Sequence, residues 1–555
     1  MSKIQGTLKR TGKIWWFFFL SLAMGISPAL IYPVSTEKIS RGLEAIQSRR
    51  IQATLSFLAS EHFKGRGTGT PEAGLTAAYI ASILQRNGLC PLEKENTSFI
   101  QTFQLSQALP REPSSLKLKT PDGNIKSLKM GEDFMPAPWG PDSPEVEGEA
   151  VFVGYGITAK EFHYDDYAKL PVTGKVVVFL SKYPDSTENN PFNDFSRNDY
   201  EDSMTKTVEA QKLGAAGVIV ILPSGEELPS LNEFNFKKAR TFLSSEIDSI
   251  RIPSVFVSYK TGENLVQRRT ERGTESLTEI KKWIDDHLKS RSFVLDEKLR
   301  LQTSYEHRKF SGQNVIGIIP GSDPSLKEEV IILGAHYDHL GVGENNEIYY
   351  GADDDASGTT GLLELAEAFQ VNPVKPRRSL MLAAWGAEEV GLLGSRHYVQ
   401  NPLVPLGKTV AMIQLDMIGR NEERSADLSK SIQEEKAGKN TKSVNVMGSP
   451  FSEDMKLLLE SCNQGVGLEL RFRFDFGSDS LNKRSDHWSF LKGGIPSLLL
   501  FSGFHPDYHR ASDTADKINF AKMEKILKLV YLACWELADG PRGPRFDNTL
   551  FQHKK

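Results

Sequence analysis

Four short apolar runs, Val330 to Ala335, Ser379 to Trp385, Val410 to Leu415 and Pro496 to Phe501, constrain this chain more than any other feature. Each is long enough for one strand and apolar on both faces, the pattern of strands covered from both sides. Helix-period sequence lies between them. It is clearest from Thr359 to Phe369, where Leu362, Leu365, Ala366 and Phe369 share one face. Strands alternating with helices predict an α/β domain over residues 301–540, with a mainly parallel, mixed sheet flanked by helices.

Upstream the character changes twice. Residues 41–108 read as a helical N-terminal part of the same domain, with Ile46, Ile51, Leu55, Leu58 and Ala59 in one stripe and Ala73, Ala77, Ile80 and Leu84 in a second. Between the stripes, Lys64-Gly65-Arg66-Gly67-Thr68-Gly69 reads as a plain loop; no strand precedes it and no Gly-Lys-Ser/Thr closes it, so it is not a phosphate loop. Residues 109–300 hold short β-rich runs (Glu149 to Gly154, Lys175 to Leu180, Gly217 to Leu222, Ile252 to Val257) and one helix from Thr205 to Leu213. That stretch has no cluster of ligand-type residues, so it is expected to be an inserted accessory domain without the chemistry. Residues 421–443 are polar and expected to form a mobile excursion, and the Pro- and Arg-rich tail 541–555 is expected to be disordered.

At the start, Lys3, Lys9, Arg10 and Lys13 precede an apolar run from Ile14 to about Val34. Residues 1–40 therefore read as a signal peptide or a membrane anchor, and the protein is expected to be exported: periplasmic, secreted, or anchored with its working domain outside the cytoplasm. A formal charge of −4 over 555 residues, with both signs interspersed, points away from nucleic acid. Cys90, Cys462 and Cys534 are widely spaced and odd in number, which predicts free thiols and no cysteine metal site.

In open α/β sheets ligands bind beyond the carboxyl ends of the strands, so the residues that follow each run carry the argument. The first run leads into His336-Tyr337-Asp338-His339, a histidine with a carboxylate two residues on. Asp353-Asp354-Asp355 precede the Thr359 helix; capping explains one acid and not three. Glu388-Glu389 follow the second run, suiting one ligand and one proton acceptor. Asp416 ends the third run among apolar neighbours, and Tyr508-His509 follow the fourth, with Lys483-Arg484-Ser485-Asp486-His487 just upstream of it. Two histidines and several carboxylates without cysteine favour zinc or a similar divalent metal. The carboxylates exceed what one ion needs and suit two ions about 3.5–4 Å apart. No G-x-S-x-G or H-E-x-x-H occurs, which disfavours a serine hydrolase and a zincin.

At these residues the chain resembles metallopeptidase family twenty-eight, the two-zinc aminopeptidases related to glutamate carboxypeptidase and the transferrin receptor. The resemblance implies two Zn2+ per chain, with Asp354 bridging, His336 and Asp416 completing one site, and Glu389 and His509 the other. Asp354 is preferred to Asp353 because it stands four residues before Gly358, as in the family turn. Glu388 is implied as the base, Asp338 as the residue that orients His336, Tyr508 as an oxyanion donor and Arg484 as a substrate contact. The expected substrates are peptide or protein N-termini. Residues 109–300 resemble the protease-associated (PA) domain, through Gly214-Ala215-Ala216-Gly217 and Ile252-Pro253-Ser254-Val255. The rivals are a carboxypeptidase, for which only Arg484 and Arg510 offer a carboxylate anchor, a one-zinc glutaminyl cyclase, and an inactive binding protein, which would have lost ligands.

Overall fold

The computed structural model describes residues 36–92, 98–143, 145–168, 170–185, 190–193, 200–228, 239–271, 273–424, 436–475 and 481–550. Most of the segment read as signal or anchor, the centre of the polar excursion (425–435) and the last five residues lie outside them. Among the described residues no helix is long and apolar enough to cross a membrane.

The main sheet has nine strands: β1 (Ile100–Pro110), β2 (Phe242–Leu243), β3 (Tyr305–Ile319), β4 (Val330–His336), β5 (Ser379–Trp385), β6 (Thr409–Leu415), β7 (Ser443–Met447), β8 (Glu469–Arg471) and β9 (Ser497–Phe501). They lie in the order β2-β1-β3-β5-β4-β6-β9-β7-β8. The four apolar runs are its centre, since β5, β4, β6 and β9 are parallel neighbours. β1, β3 and β7 pair antiparallel at the flanks, so the sheet is mixed.

Alternation along β4 explains the two layers. Ile331 and Leu333 face the larger core, with α1 (Thr36–Ala45), α2 (Ser48–Leu58), α3 (Pro71–Arg86), α4 (Ala356–Val371), α6 (Glu453–Asn463) and α8 (Phe520–Asp539); Val330 and Ile332 face a smaller core with α5 (Leu393–Gln400) and α7 (His487–Lys492). The sequence predicts one apolar face for α4, but the helix is buried almost all round, because α1, α2 and α8 pack over the side away from the sheet. Both predicted N-terminal stripes are buried.

Between the antiparallel neighbours β1 and β3 the chain leaves to build a second, eight-stranded sheet with its own core. The predicted runs form its strands at Val146–Phe152, Val176–Leu180, Gly217–Ile221 and Ser254–Val257. One piece of this excursion returns: β2 pairs with β1, Leu105 opposite Leu243, at the edge of the main sheet. The three cysteines are free. The expected disordered tail is instead ordered as far as 550. Arg545 binds Asp454 on α6 at 2.7 and 2.9 Å, and Phe546 stacks on Phe451 at 6.2 Å. Its basic and aromatic residues read as solvated only while their partners, some ninety residues upstream, are unseen.

Phe369 on α4 meets Tyr531 and Trp535 of α8, with ring centroids 4.6 and 6.1 Å away. Phe369→Ala is expected to cost about 3–5 kcal/mol, read as a lower denaturant midpoint; an unchanged midpoint would mean that this contact does not hold α4 in place.

Candidate metal centre

Because β4, β5, β6 and β9 are parallel neighbours, their carboxyl ends share one edge, and the turns beyond them meet there. His336 is the last residue of β4, and Asp416 is the first beyond β6. Glu388 and Glu389 follow β5 after Ala387, and His509 lies in the turn after β9. Ala387, Met417 and His509 all have positive φ (60°, 51° and 54°), an unusual backbone for residues with side chains that turns the chain sharply at three of these corners.

The predicted residues converge. His336 Nε2 lies 3.3 Å from Asp354 Oδ1, 3.5 Å from Asp416 Oδ1 and 3.9 Å from Glu388 Oε2. His509 Nε2 lies 3.1 Å from Asp354 Oδ2 and 3.3 Å from Glu389 Oε2. Asp354 therefore offers one oxygen to each imidazole. Among the described residues no Lys or Arg stands within 4.0 Å of Asp354, Glu388, Glu389 or Asp416. Buried carboxylates with only imidazoles for company suit a divalent cation, and donor sets from this cluster have ligand atoms within 4.8 Å of one another.

The three adjacent aspartates divide their work. Asp354 enters the site. Asp353 points away, its Oδ1 accepting the Gly419 N–H at 2.6 Å and its Oδ2 lying 3.2 Å from His505 Nε2. Asp355 caps α4, accepting the Gly358 N–H at 2.8 Å and the Met417 N–H at 3.1 Å.

Asp338 acts differently from the expectation. The His336 ring is met at Nδ1 by the main-chain carbonyl of Asp338 (3.1 Å), while the Asp338 carboxylate accepts the Glu388 N–H (3.0 Å) and the Thr68 hydroxyl (2.6 Å). His339 had no assigned role in the sequence, yet it is buried with Nδ1 2.7 Å from Glu389 Oε1 and 3.7 Å from Asp354 Oδ2. A Cβ on Gly351 would lie 2.5 Å from its ring, so that glycine makes the room. The signal was the second histidine of His-x-x-His, three residues past a ligand. Tyr508 stacks on His509 at 3.8 Å, and its hydroxyl oxygen accepts from Arg484 at 3.1 Å.

Burial and the neighbouring carboxylates Glu389 and Asp416 push the Glu388 carboxyl well above its usual range, against the pull of His336. Burial disfavours a charged His509, but its hydrogen bonds to Asp354 and Glu389 prevail and raise it to about 10. His336 is likewise held well above the usual imidazole range by Glu388, Asp416 and Asp354, despite its burial. Beside these groups lies an open cavity walled by Met417, Met447, Leu481, Leu499, Phe501 and Phe504, with Arg484 and Tyr508 at its polar side.

Residues 314–533 match the family model described as Peptidase family M28, and residues 146–265 match the PA domain. Residues 314–533 are thus a peptidase family M28 domain, and residues 146–265 a PA domain. Among the chain's relatives, Leupeptin-inactivating enzyme 1 of Streptomyces exfoliatus is 28% identical over 43% of the chain and 52% of its own length. A Glutamate carboxypeptidase 2 homolog of Caenorhabditis elegans is 34% identical over 33% of the chain and 24% of its own length. The chain thus spans about half or less of the length of these relatives. The solved aminopeptidase from Aneurinibacillus sp. strain AM-1 shares the fold with a TM-score of 0.50 at 21% identity, covering 92% of this chain and 97% of that one.

Two outcomes are expected. A metal ion must displace protons from His336 and His509, so metal affinity should tighten as pH rises from about 6 to 9, with proton release measurable by calorimetry in buffers of different ionisation enthalpy. His339→Ala strips Glu389 of its 2.7 Å partner and should weaken metal binding about 10–100-fold in competition with a chelator; wild-type affinity would leave His339 without a role in the centre.

Proposed function

We propose that this chain is a zinc-dependent aminopeptidase with two Zn2+ per chain, cleaving the first residue from peptides or proteins. The observation that carries the reading is the set of five donors, Asp354 among them, with Glu388 beside them, opening on an apolar cavity. His336 and Asp416 would hold one ion, Glu389 and His509 the other, and Asp354 both. Bound zinc would polarise the scissile carbonyl and make water acidic enough to attack near neutral pH.

The chain's own residues supply the rest. Glu388 takes the proton of the attacking water and hands it to the leaving amine; burial has already raised its affinity for a proton, as this task requires. Burial and the negative charge of Asp354 also push the Tyr508 hydroxyl up, so it stays protonated. Since its oxygen accepts from Arg484, its proton is left to point into the cavity at the oxyanion. The wall from Met417 to Phe504 favours an apolar side chain on the residue released.

Arg484 is the single Lys or Arg among the cavity's described lining residues, and it is engaged with Tyr508. Arg510 does not line the cavity, and it is exposed. A carboxypeptidase would need a free cationic anchor for the substrate carboxylate, so the aminopeptidase is favoured. The cluster of donors likewise speaks against an inactive binding protein. With its basic and apolar N-terminal segment, the protein is proposed to work outside the cytoplasm, released or anchored, on peptide N-termini and not on nucleic acid.

Glu388→Gln should lower kcat about 10²–10⁴-fold while the bound metal stays at the wild-type level; retained turnover would sink the assignment. Tyr508→Phe should cost about 10–10³-fold in kcat. Free-amine peptides with leucine or phenylalanine first should be cleaved, N-acetylated ones spared, and a chelator should abolish turnover. Release of C-terminal residues instead would overturn the aminopeptidase reading.

A further inference from the structure

The glycine-rich stretch between α2 and α3 reads as a plain loop in sequence, but it is hydrogen-bonded to the turns that follow β4 and precede α4. Arg66 is 1% exposed, and its guanidinium donates to four main-chain carbonyls: Leu58 (3.0 Å), Tyr337 (2.8 Å), Tyr350 (2.9 Å) and Gly351 (2.8 Å). Tyr337 follows the ligand His336, and Gly351 begins the turn that delivers Asp354. In return the carbonyls of Arg66 and Gly65 accept the N–H groups of His339 (3.3 Å) and Gly341 (3.0 Å). Gly65 has φ +68°, and a Cβ there would lie 2.2 Å from the Tyr349 carbonyl oxygen, so the loop has room for no side chain at that point.

Two residues on, the loop reaches toward Glu388. The Thr68 hydroxyl donates to Asp338 Oδ2 at 2.6 Å, and Asp338 Oδ1 accepts the Glu388 N–H at 3.0 Å. One carboxylate, 1% exposed, is thus shared by donors from two distant segments. A carboxylate gripped at one oxygen alone can turn about its Cβ–Cγ bond; gripped at both, it cannot. We propose that Thr68 is a positioning residue of the site: through Asp338 it fixes the main chain at Glu388, so the N-terminal helical segment sets where the Glu388–Glu389 pair stands. Its catalytic consequence rests on Glu388 acting as the base; its geometric part does not.

The test compares Thr68→Val, which deletes the hydroxyl at nearly constant shape, with Thr68→Ser, which keeps it. Amide hydrogen exchange at Glu388 is followed in the metal-free and zinc-loaded full chain, together with zinc content and with kcat and KM on leucine p-nitroanilide. In T68V the Glu388 amide should exchange at least about tenfold faster, from loss of one hydrogen bond to a charged acceptor. Exchange in β4 and α4 should stay unchanged, as should zinc content, while kcat falls about tenfold with KM within about twofold. T68S should recover both the exchange rate and kcat to within about threefold. Wild-type exchange at Glu388 in T68V would overturn the proposal, as would exchange that quickens equally throughout the domain, or a T68S variant that behaves as T68V does. If T68V does not fold, the wild type decides: a Glu388 amide exchanging at the rate of an unprotected peptide is incompatible with the Asp338 clamp. The base assignment is judged separately by E388Q. Full turnover there removes Glu388 as base and leaves the exchange result standing, whereas unchanged exchange in T68V removes this proposal and leaves the base.

Discussion

Like charge gathered in one buried place is the constraint around which the rest of the structure is arranged. Asp354, Glu388, Glu389 and Asp416 meet at the edge of the sheet beside imidazoles, with no Lys or Arg among the described residues within 4.0 Å. Two unit charges about 4 Å apart repel by roughly 4 kcal/mol at the effective dielectric of a protein, so such a group persists only if the backbone is held firmly and cations can be taken up. The structure meets the first condition with further aspartates. Asp338, after β4, holds the Glu388 N–H after β5; Asp353 and Asp355, before α4, hold Gly419 and Met417 after β6. Asp513, beyond β9, accepts the N–H groups of Asp353 and Asp354 at 3.0 and 3.2 Å. Three of the turns that bear a donor, those of Asp354, of Glu388–Glu389 and of Asp416, are thus each tied by a carboxylate from a different turn. The acids that face the cavity and the acids that brace it are chemically alike, and direction alone separates them.

The accessory domain is joined to this arrangement at more than its two ends. Leu243 of β2 shares an apolar cluster with Ala387 and Leu393, residues on either side of the Glu388–Glu389 pair. Four residues after β2 begins, Glu246 pairs with Arg396 on α5, the helix that follows that pair. Beyond the tethers of β1 and β3, the PA domain therefore has a foothold beside the Glu388–Glu389 turn, and movement of one would be felt by the other through direct packing.

Much of the site was legible before any coordinates. Strands buried on both faces must end somewhere, and ligand-type residues at those ends, where solvent and ligand meet, carry information that the same residues on a helix surface would not. This is why His336, Glu388, Glu389, Asp416 and His509 could be read from position. His339 stands three residues past its strand end and the partner of Thr68 lies 270 residues away in sequence, so position at a strand end marks neither. The ordered tail beyond α8 escaped for the same reason, its partners Asp454 and Phe451 lying far upstream.

What the sequence determined by itself was the alternation of strand and helix, the four central strands, and the chemical kind of residue at each strand end, because these depend on periodicity and on neighbours a few residues apart. What only the tertiary structure decided was direction and partnership: that Asp354 faces the cavity while Asp353 and Asp355 brace other turns, that Asp338 serves Glu388 through its side chain and His336 through its backbone, and that the loop from Lys64 to Gly69 is bonded to the turn after β4. Those choices follow from register and from the angle at which separate turns approach one another, and neither is written in any stretch of the chain shorter than the domain.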